Sequence, residues 1–565
     1  MTSQAPYPLD MAFVRAGTPM FAEIIARLRV DETLLDSRRR DLISGLRRIS
    51  KAVGLPPEDV PCDSRWLQPR LAKIAHARLG LTAKSWQNAV SDARAALAHY
   101  GLVERRSNRI EDLSDEWRAL WTAVLASGDK TLQPALCRFV HFVNTTDVAP
   151  LDVRMEHAAA YHDALERNEI SRSPVVAFRA AVNGWNLARR RIPEWPDIVL
   201  PLASRQTVIS MHLSSFPQSF QEDLDDLMRR LGTPDPLAEG GFAKALRPAT
   251  IAQYRRQLIR FASELVHSDV APEGINGLHV LVDPVMAERG LRQMLSRTGN
   301  QTTKLISETA ALLRNLALIL KAPDDVRDRL ADLAARVATK PQTGMTRKNR
   351  DRLRALQDEK DQQRLLLLPQ RIFAQPIPKS SRFSALLARE DALAVAILLI
   401  CPIRIKNLAG LHLERNLQRP GDGHVYLVLE DEETKNERPV EFELPHDIVR
   451  MIDAHLKVRC PELCPPATPW LFPRRGGDGP VSSGGLSSRL FKRILKETGL
   501  EMNAHLFRHF AVMNWLDANP GGYEVARRLL GHSAVSHTIN MYSGLEARSA
   551  TRAFADLIEH KKGRR

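Results

Sequence analysis

Apolar side chains recur at three- and four-residue intervals through most of the first two-thirds of this chain, and that period leaves little choice of fold. RRRDLISGLRRISKAVG, WQNAVSDARAALAHYG, LQPALCRFVHFVN and TIAQYRRQLIRFASELV each gather their Leu, Ile, Val and Phe side chains on one side of a 3.6-residue helix. The first two close in glycine, the residue that most readily takes the left-handed backbone of a helix end. Half-buried strands would alternate instead, which these stretches do not. This part of the chain is expected to be helical.

The helices form a loose repeat. An amphipathic helix leads into a short turn containing proline, LPPEDVP, DVAPLDV or DVAPEGI. One or two further helices follow, the last with Asn or Thr near its start. Three such units fall at roughly 35–105, 130–195 and 245–335. An all-helical chain is self-similar at this level without any duplication, so both readings stand.

The texture changes at residues 340–354, KPQTGMTRKNRDRLR, where Pro and Gly mark a break. Arg347, Lys348, Arg350, Arg352 and Arg354 then crowd one short stretch able to begin a helix. Such a run is ordinarily a solvated face, but at a domain boundary it also suits a phosphate backbone. Beyond residue 371, ALLAREDALAVAILLICPI reads as a strongly apolar helix. HVYLVLE and RPVEFELP are short strand-like runs on either side of the polar turn DEETKNE, a plausible hairpin. PWLFPRRGGDGPVSSGG is a long loop, after which helices resume to the end. The expected fold is mainly α: a helical extension over 1–235 containing two of the units, a helical unit over 236–340, a basic linker over 341–370, and a helical domain with a small antiparallel β-sheet over 371–565.

A chain of 565 residues exceeds one ordinary domain, in keeping with that division. Its 81 Lys and Arg against 66 Asp and Glu give a net charge of +15, which favours a polyanion: nucleic acid or an anionic membrane face. The longest apolar run, ALAVAILLIC at 392–401, is too short for a bilayer, which takes ~20 residues. The N-terminal MTSQAPYPLDMAF lacks the basic start and apolar stretch of a signal peptide. Cys62, Cys137, Cys401, Cys460 and Cys464 are scattered, which argues against a disulfide framework and for a reducing cytoplasm. CPELC sets two of them close together, but no second ligand pair follows, which argues against zinc.

Four segments of the last third carry residues suited to a phosphate. CPIRIKNLAGL holds Arg404 directly behind the apolar helix. ETKNERP sets Lys435 at a hairpin tip. NAHLFRHFAVMNWL places His505 and Arg508 three apart, on one helical face. RRLLGHSAVSHTINMYSGLE carries His532 and, ten residues on, Tyr542, in a chain with only seven tyrosines. Each has an ordinary explanation alone: a surface lysine, a buried ion-pair arginine, a core tyrosine with a wet hydroxyl. The ordered set is more specific. Arg, Lys in a hairpin, His-x-x-Arg, Leu-Gly-His and Tyr within one compact segment resemble the tyrosine recombinase, or phage-integrase, family of site-specific DNA recombinases.

The resemblance covers roughly residues 370–550, and more weakly the unit near 245–335, which is similar to the family's core-binding domain. It implies that Tyr542 is the nucleophile, attacking a phosphodiester to give a 3′-phosphotyrosyl link. Arg404 and Arg508 would bond the non-bridging oxygens with their planar forks. His505 and His532 would donate to the transition state or handle the tyrosine proton, and Lys435 would protonate the leaving 5′-oxygen. This chemistry needs neither metal nor cofactor. Many family members carry an acidic residue three positions after the first Arg; here that place is Asn407, which puts its supporting role in question.

Further expectations follow from the resemblance. The partner is double-stranded DNA, held by a clamp whose halves the linker Arg347–Arg354 joins, with no membrane involved. Four copies would meet on synapsed DNA, with other recombinases or accessory DNA-bending proteins as further partners, in the nucleoid-associated cytoplasm of a bacterium. The last helix, with Ala550, Phe554, Leu557 and Ile558 at helical spacing, would dock on a neighbouring copy or fold back on its own domain. The N-terminal extension fits additional DNA-binding modules or contacts with partner recombinases. A type IB topoisomerase, a catalytically silent DNA-binding protein and a helical scaffold are the competing readings.

Overall fold

The computed structural model describes residues 14–106, 109–202, 208–233, 245–340 and 344–563. The stretch MTSQAPYPLDMAF, the first residues of the 341–370 segment and the side chain of Ala550 lie outside the described residues. The chain divides into two compact units, Met1–Leu202 with Thr343–Arg565, and Ala203–Gln342. Among the described residues no helix is long and apolar enough to cross a membrane.

The N-terminal part of the first unit is helical, as its period demands. Helices α1 (Phe21–Arg29), α2 (Asp36–Val53), α3 (Ser64–Leu71) and α4 (Ala83–His99) surround a core that includes Phe21, Leu46, Ile49 and Leu97, all fully buried. Helices α5 (Asp115–Ala126), α6 (Leu132–Thr145), α7 (Met155–Asn168) and α8 (Pro174–Arg191) surround a second core around Trp117, Phe139 and Trp185. Two glycines bring helices close. A Cβ on Gly45 would stand 2.7 Å from Asp92 Cβ across the α2–α4 crossing, and one on Gly184 would stand 2.8 Å from Ala135 Cβ across α6–α8.

The second unit holds α9 (Gln218–Gly232), α10 (Pro248–Val266), α11 (Leu278–Val282), α12 (Pro284–Ser296), α13 (Lys304–Ile319) and α14 (Asp324–Arg336). Its core is built on Phe220, Leu224, Phe261, Leu281 and Leu313. Glu264 is fully buried there, with the Arg297 guanidinium 2.8 Å away.

The proline turns seen in the sequence are one motif used three times. Helices α2, α6 and α10 each run into a left-handed residue: Gly54 (φ 80°), Asp147 (φ 54°) and Asp269 (φ 66°). The next amide reaches back over the helix end, Leu55 to Ser50 O at 3.2 Å, Val148 to Val143 O at 3.5 Å and Val270 to Leu265 O at 3.2 Å, closing it in the Schellman manner. A 3₁₀ turn opening on proline follows each time: Pro57–Asp59, Pro150–Asp152, Pro272–Gly274. A fully buried aliphatic side chain then pins the chain: Val60, Val153, Ile275. The later helices α4, α8 and α13 are capped by a hydroxyl accepting from the amide three residues on, at Thr82, Ser173 and Thr303.

The C-terminal part of the first unit opens with α15 (Arg347–Ala355), α16 (Glu359–Leu366) and α17 (Leu368–Phe373). Helix α18 (Arg382–Ile400) is its axis. Every residue from Glu390 to Leu398 is buried, as expected of a helix apolar on all sides. The two acids within that run are paired with Arg489 and Arg493. After α19 (Ile405–Ala409), strands β1 (Leu417–Gln418), β2 (Tyr426–Leu429) and β3 (Val440–Glu443) form an antiparallel sheet in the order β1-β2-β3. Leu427 pairs with Leu417 on one side and with Phe442 on the other. The helices α20 (His446–Val458), α21 (Ser483–Thr498), α22 (Leu506–Ala518), α23 (Tyr523–Leu530) and α24 (Val535–Lys562) complete it. The architecture is therefore mainly α with a small C-terminal antiparallel sheet. The N-terminal helices pack on this part: Arg78 pairs with Asp361 at 3.1 Å, and its Cγ lies 2.7 Å from where a Cβ on Gly499 would stand.

Candidate active site

The site is assembled where α18, α22, α23 and α24 end or begin. Arg508, in the first turn of α22, is 4% exposed. Its two terminal nitrogens donate to Pro402 O and Leu530 O, each at 2.6 Å, so main-chain carbonyls orient the fork. Burial and the neighbouring Arg404 push this guanidinium down to about 10. Arg404 is the half-buried residue preceding α19, turned there by the Pro402–Ile403 link from α18. The two guanidiniums face one another closely enough for the positive charge of Arg404 to bear on Arg508. Between them lies a cavity of about 20 Å³, also lined by Asn407, Thr434, Phe442 and Gly531. Asn407, in the place where an acid was expected, donates its amide to Glu433 O at 3.2 Å and so ties α19 to the turn before β3.

Three histidines border the arginines. His505 is the residue preceding α22, and its ring lies 4.8 Å from that of His509 in an edge-on contact. Burial first, then Arg508 and Arg404, hold His505 below the usual imidazole range. His532 follows Gly531, whose φ of 59° closes α23 in the left-handed region. The His532 amide donates back to Arg527 O at 3.0 Å, and its Nδ1 lies 3.0 Å from the buried Thr538 hydroxyl. Burial, Arg508 and Arg404 push His532 down to about 4. From Val535 the chain turns into α24, and two helical turns bring Tyr542 back to the cluster.

Tyr542 is 2% exposed, and burial pushes its phenol up to about 12 against the opposing pull of Arg508. Its hydroxyl is hydrogen-bonded to His509 Nδ1 at 2.9 Å. His509 is itself pushed down to about 3, by burial first and then by His505, Arg508 and His532, and is therefore neutral. The sequence reading did not single out His509. The available signal was its place directly after Arg508 and four residues from His505, which puts it on the same helical face.

The structure thus brings Arg404, His505, Arg508, His532 and Tyr542 together, with His509 added. Lys435 is not inside this cluster. It is exposed on the turn between β2 and β3, beside Thr434 of the cavity wall. The next residue, Asn436, donates to Gly531 O at 2.5 Å, so the turn is anchored to the backbone next to His532. The five basic residues of the linker all fall on α15. Arg347, Lys348, Arg350 and Arg354 are exposed there, whereas Arg352 is bonded to Glu501 at 2.8 Å and stands over the Phe491 ring. Among the described residues no group of three or more His, Cys, Asp or Glu is placed to hold a metal ion. Cys460 and Cys464 bring their sulfurs to 3.6 Å and offer two ligands at most.

Residues 377–548 match the Phage integrase family. That range includes Arg404, Lys435, His505, Arg508, His532 and Tyr542. Among solved structures, the chain is similar to the XerH site-specific recombinase bound to difH substrate in a pre-cleavage complex, with 14% identity and a TM-score of 0.36 over 58% of this chain and 94% of that one. It is also similar to the Tn1549 transposon integrase, residues 82–397, in complex with circular intermediate DNA, with 16% identity and a TM-score of 0.34 over 60% and 98%. XerA recombinase matches with 14% identity and a TM-score of 0.27 over 60% and 98%. No curated protein matches the chain by sequence. By the family match, residues 377–548 carry phage-integrase homology, over part of the chain.

Proposed function

We propose that this protein is a site-specific DNA recombinase that cuts and rejoins strands through Tyr542, without metal or cofactor. The observation that carries the proposal is the convergence of Arg404 and Arg508 beside Tyr542 within a segment of phage-integrase homology. In the proposed step the Tyr542 oxygen attacks phosphorus, the bond from phosphorus to the 5′-oxygen breaks, and a 3′-phosphotyrosyl link forms. The phenolic proton passes to a neutral histidine of the cluster. Lys435 gives its proton to the departing 5′-oxygen. Arg404 and Arg508 neutralise the charge that otherwise makes a phosphodiester resist attack. Burial depresses His505 and His532 first; a bound phosphate relieves the repulsion from Arg508 and Arg404 that adds to it, so both become better donors once DNA is seated. Attack by another strand's 5′-hydroxyl on the phosphotyrosine reverses the bonds and frees Tyr542.

The DNA partner is double-stranded, with Arg347, Lys348, Arg350 and Arg354 tracking its phosphates. Four copies meet on synapsed sites, and the exposed Phe554 and Leu557 near the end of α24 give one copy an apolar grip on the next. Integration, excision or transposition of a mobile element in a bacterial cytoplasm is the role that fits, with accessory DNA-bending proteins or other recombinases as further partners. The N-terminal helices up to Leu202 and the unit Ala203–Gln342 serve as DNA-binding modules.

The test is a covalent-adduct assay. Wild type and Tyr542→Phe are mixed with supercoiled DNA containing the flanks of the protein's own gene, in EDTA, and quenched in detergent. An adduct from wild type alone is expected, and strand exchange between two sites then separates a recombinase from a topoisomerase. An adduct surviving in Tyr542→Phe would show that the nucleophile is another residue. The burial of Tyr542 favours a second reading, in which cutting waits for a partner copy. In that case wild type binds the DNA and forms adducts only above the concentration at which copies assemble on it.

A further inference from the structure

A cavity of about 130 Å³ lies where the first two helical cores meet, among α4, the connector at 104–106, α6 and α7. Part of its wall is ionic: Arg94, Arg105, Arg106 and Arg138 stand with two carboxylates, Glu104 and Glu169. Another part is apolar, with Phe142, Tyr161 and Leu165. Arg105 and Thr145 of the wall are exposed, so a solute can enter from outside.

Two residues of this wall each keep a nitrogen buried and without a hydrogen-bond partner among the described residues: Arg94 at Nε and His141 at Nε2. The two side chains belong to residues that are 9% and 5% exposed. A terminal nitrogen of Arg94 donates to Glu104 O at 2.8 Å, which satisfies a donor but supplies no charge. The buried carboxylate, Glu169, is already shared by Arg106 and, at 2.8 Å, by Arg138. Burial and the neighbouring Arg106 accordingly push the Arg94 guanidinium down to about 10. Burial also holds His141 below the usual imidazole range, against the pull of Asp112. Water would bond either nitrogen but would leave the guanidinium charge uncompensated in the interior.

Size and lining narrow the occupant. A cavity of about 150 Å³ takes a molecule the size of benzene. A bare oxyanion would meet the two nitrogens and leave the apolar wall wet. A hydrocarbon ring would cover that wall and leave both nitrogens unpaired. A carboxylate joined to a small ring answers both demands, in the usual pattern of an apolar pocket with a few placed polar groups.

We propose that this cavity binds a small aromatic carboxylate, whose oxygens accept from Arg94 Nε and His141 Nε2 while its ring lies against Phe142, Tyr161 and Leu165. The bound acid joins α4 to α6 and α7, and so pins one helical core to the next. It needs none of the strand chemistry proposed at Tyr542.

The probe is benzoate, with benzamide as its uncharged counterpart and inorganic phosphate as a bare oxyanion, each titrated by calorimetry into the full chain. Benzoate should bind with a dissociation constant of ~1 mM or below, ordinary for so small a ligand, and benzamide at least about tenfold more weakly. Arg94→Met and His141→Phe should each weaken benzoate roughly ten- to a hundredfold, the loss expected when a hydrogen bond to a charged group is removed. Thermal melts check that both variants fold. Hydrogen exchange of the wild-type chain adds a reading that needs no variant: benzoate should slow exchange in α4, α6 and α7 and leave α21 to α24 unchanged. Equal binding of benzoate and benzamide would overturn the proposal, and so would phosphate binding more tightly than benzoate. Undiminished binding by folded Arg94→Met, protection confined to another part of the chain, or no binding of benzoate up to ~10 mM would overturn it as well.

Discussion

Tyr542 and His509 share one buried hydrogen bond, so replacing either has a defined cost. Tyr542→Phe leaves a neutral ring nitrogen unpaired and should lower stability by about 1 kcal/mol in urea titration, while removing the adduct entirely. His509→Leu leaves the phenol unpaired in the interior, which should cost about 1–3 kcal/mol. Titration adds a pH dependence of known sign. His509 at about 3 and His532 at about 4 lie below the ordinary imidazole value of 6.5, so the unfolded chain binds more protons in that interval. Their contribution is complete above about pH 6.5 and is lost as pH falls toward 4 and then 3. The denaturation midpoint should therefore fall across that window, and His532→Asn should flatten the slope. At this scale the sequence was informative wherever order along the chain mattered. Arg404, His505, Arg508, His532 and Tyr542 were legible as a set because their spacing is unusual. His509 was not, because a histidine on an apolar helical face ordinarily belongs to a core, and only tertiary packing shows which hydroxyl it meets. The bond between Asn407 and Glu433 O was hidden for the same reason.

At the scale of elements, the three capped turns show how local chemistry sets architecture. Gly54 has open space around it, so a Cβ there meets nothing within 4 Å, yet its φ is 80°. Gly54→Val should thus cost about 1–2 kcal/mol through backbone strain alone, read as faster hydrogen exchange in α2 and α3. Asp147 and Asp269 already tolerate the same conformation, as short polar side chains do. Proline turns, helix periods and the hairpin were legible because each depends on residues a few positions apart. Strand β1 was missed: two residues show no period, and only pairing with β2 makes them a strand. The linker was legible as basic, but not the engagement of Arg352 with Glu501 across 149 positions.

At the scale of the whole molecule, four buried clusters among the described residues divide the labour, and the N-terminal one is joined to the C-terminal part through Arg78 and Asp361. No sequence period reports such a pairing, since it links surfaces 283 positions apart. The far end of α24 leaves Phe554 64% and Leu557 48% exposed on one helical face. Phe554→Ser/Leu557→Ser should leave the melting of the free chain within about 0.5 kcal/mol of wild type. Under the proposed four-copy assembly, it should shift complexes on paired DNA sites from four copies to one or two in sedimentation. Finally, the burial of Tyr542 bears on fidelity. A basic protein held to DNA largely by charge spends most of its time on sequences that are not its target. If the tyrosine emerges in about one encounter in a hundred, accidental scission falls by about the same factor. Under the proposed function, the correct site escapes that penalty only if its assembly favours the emerged state, so where the protein would cut is decided by what draws the tyrosine out more than by where it would bind.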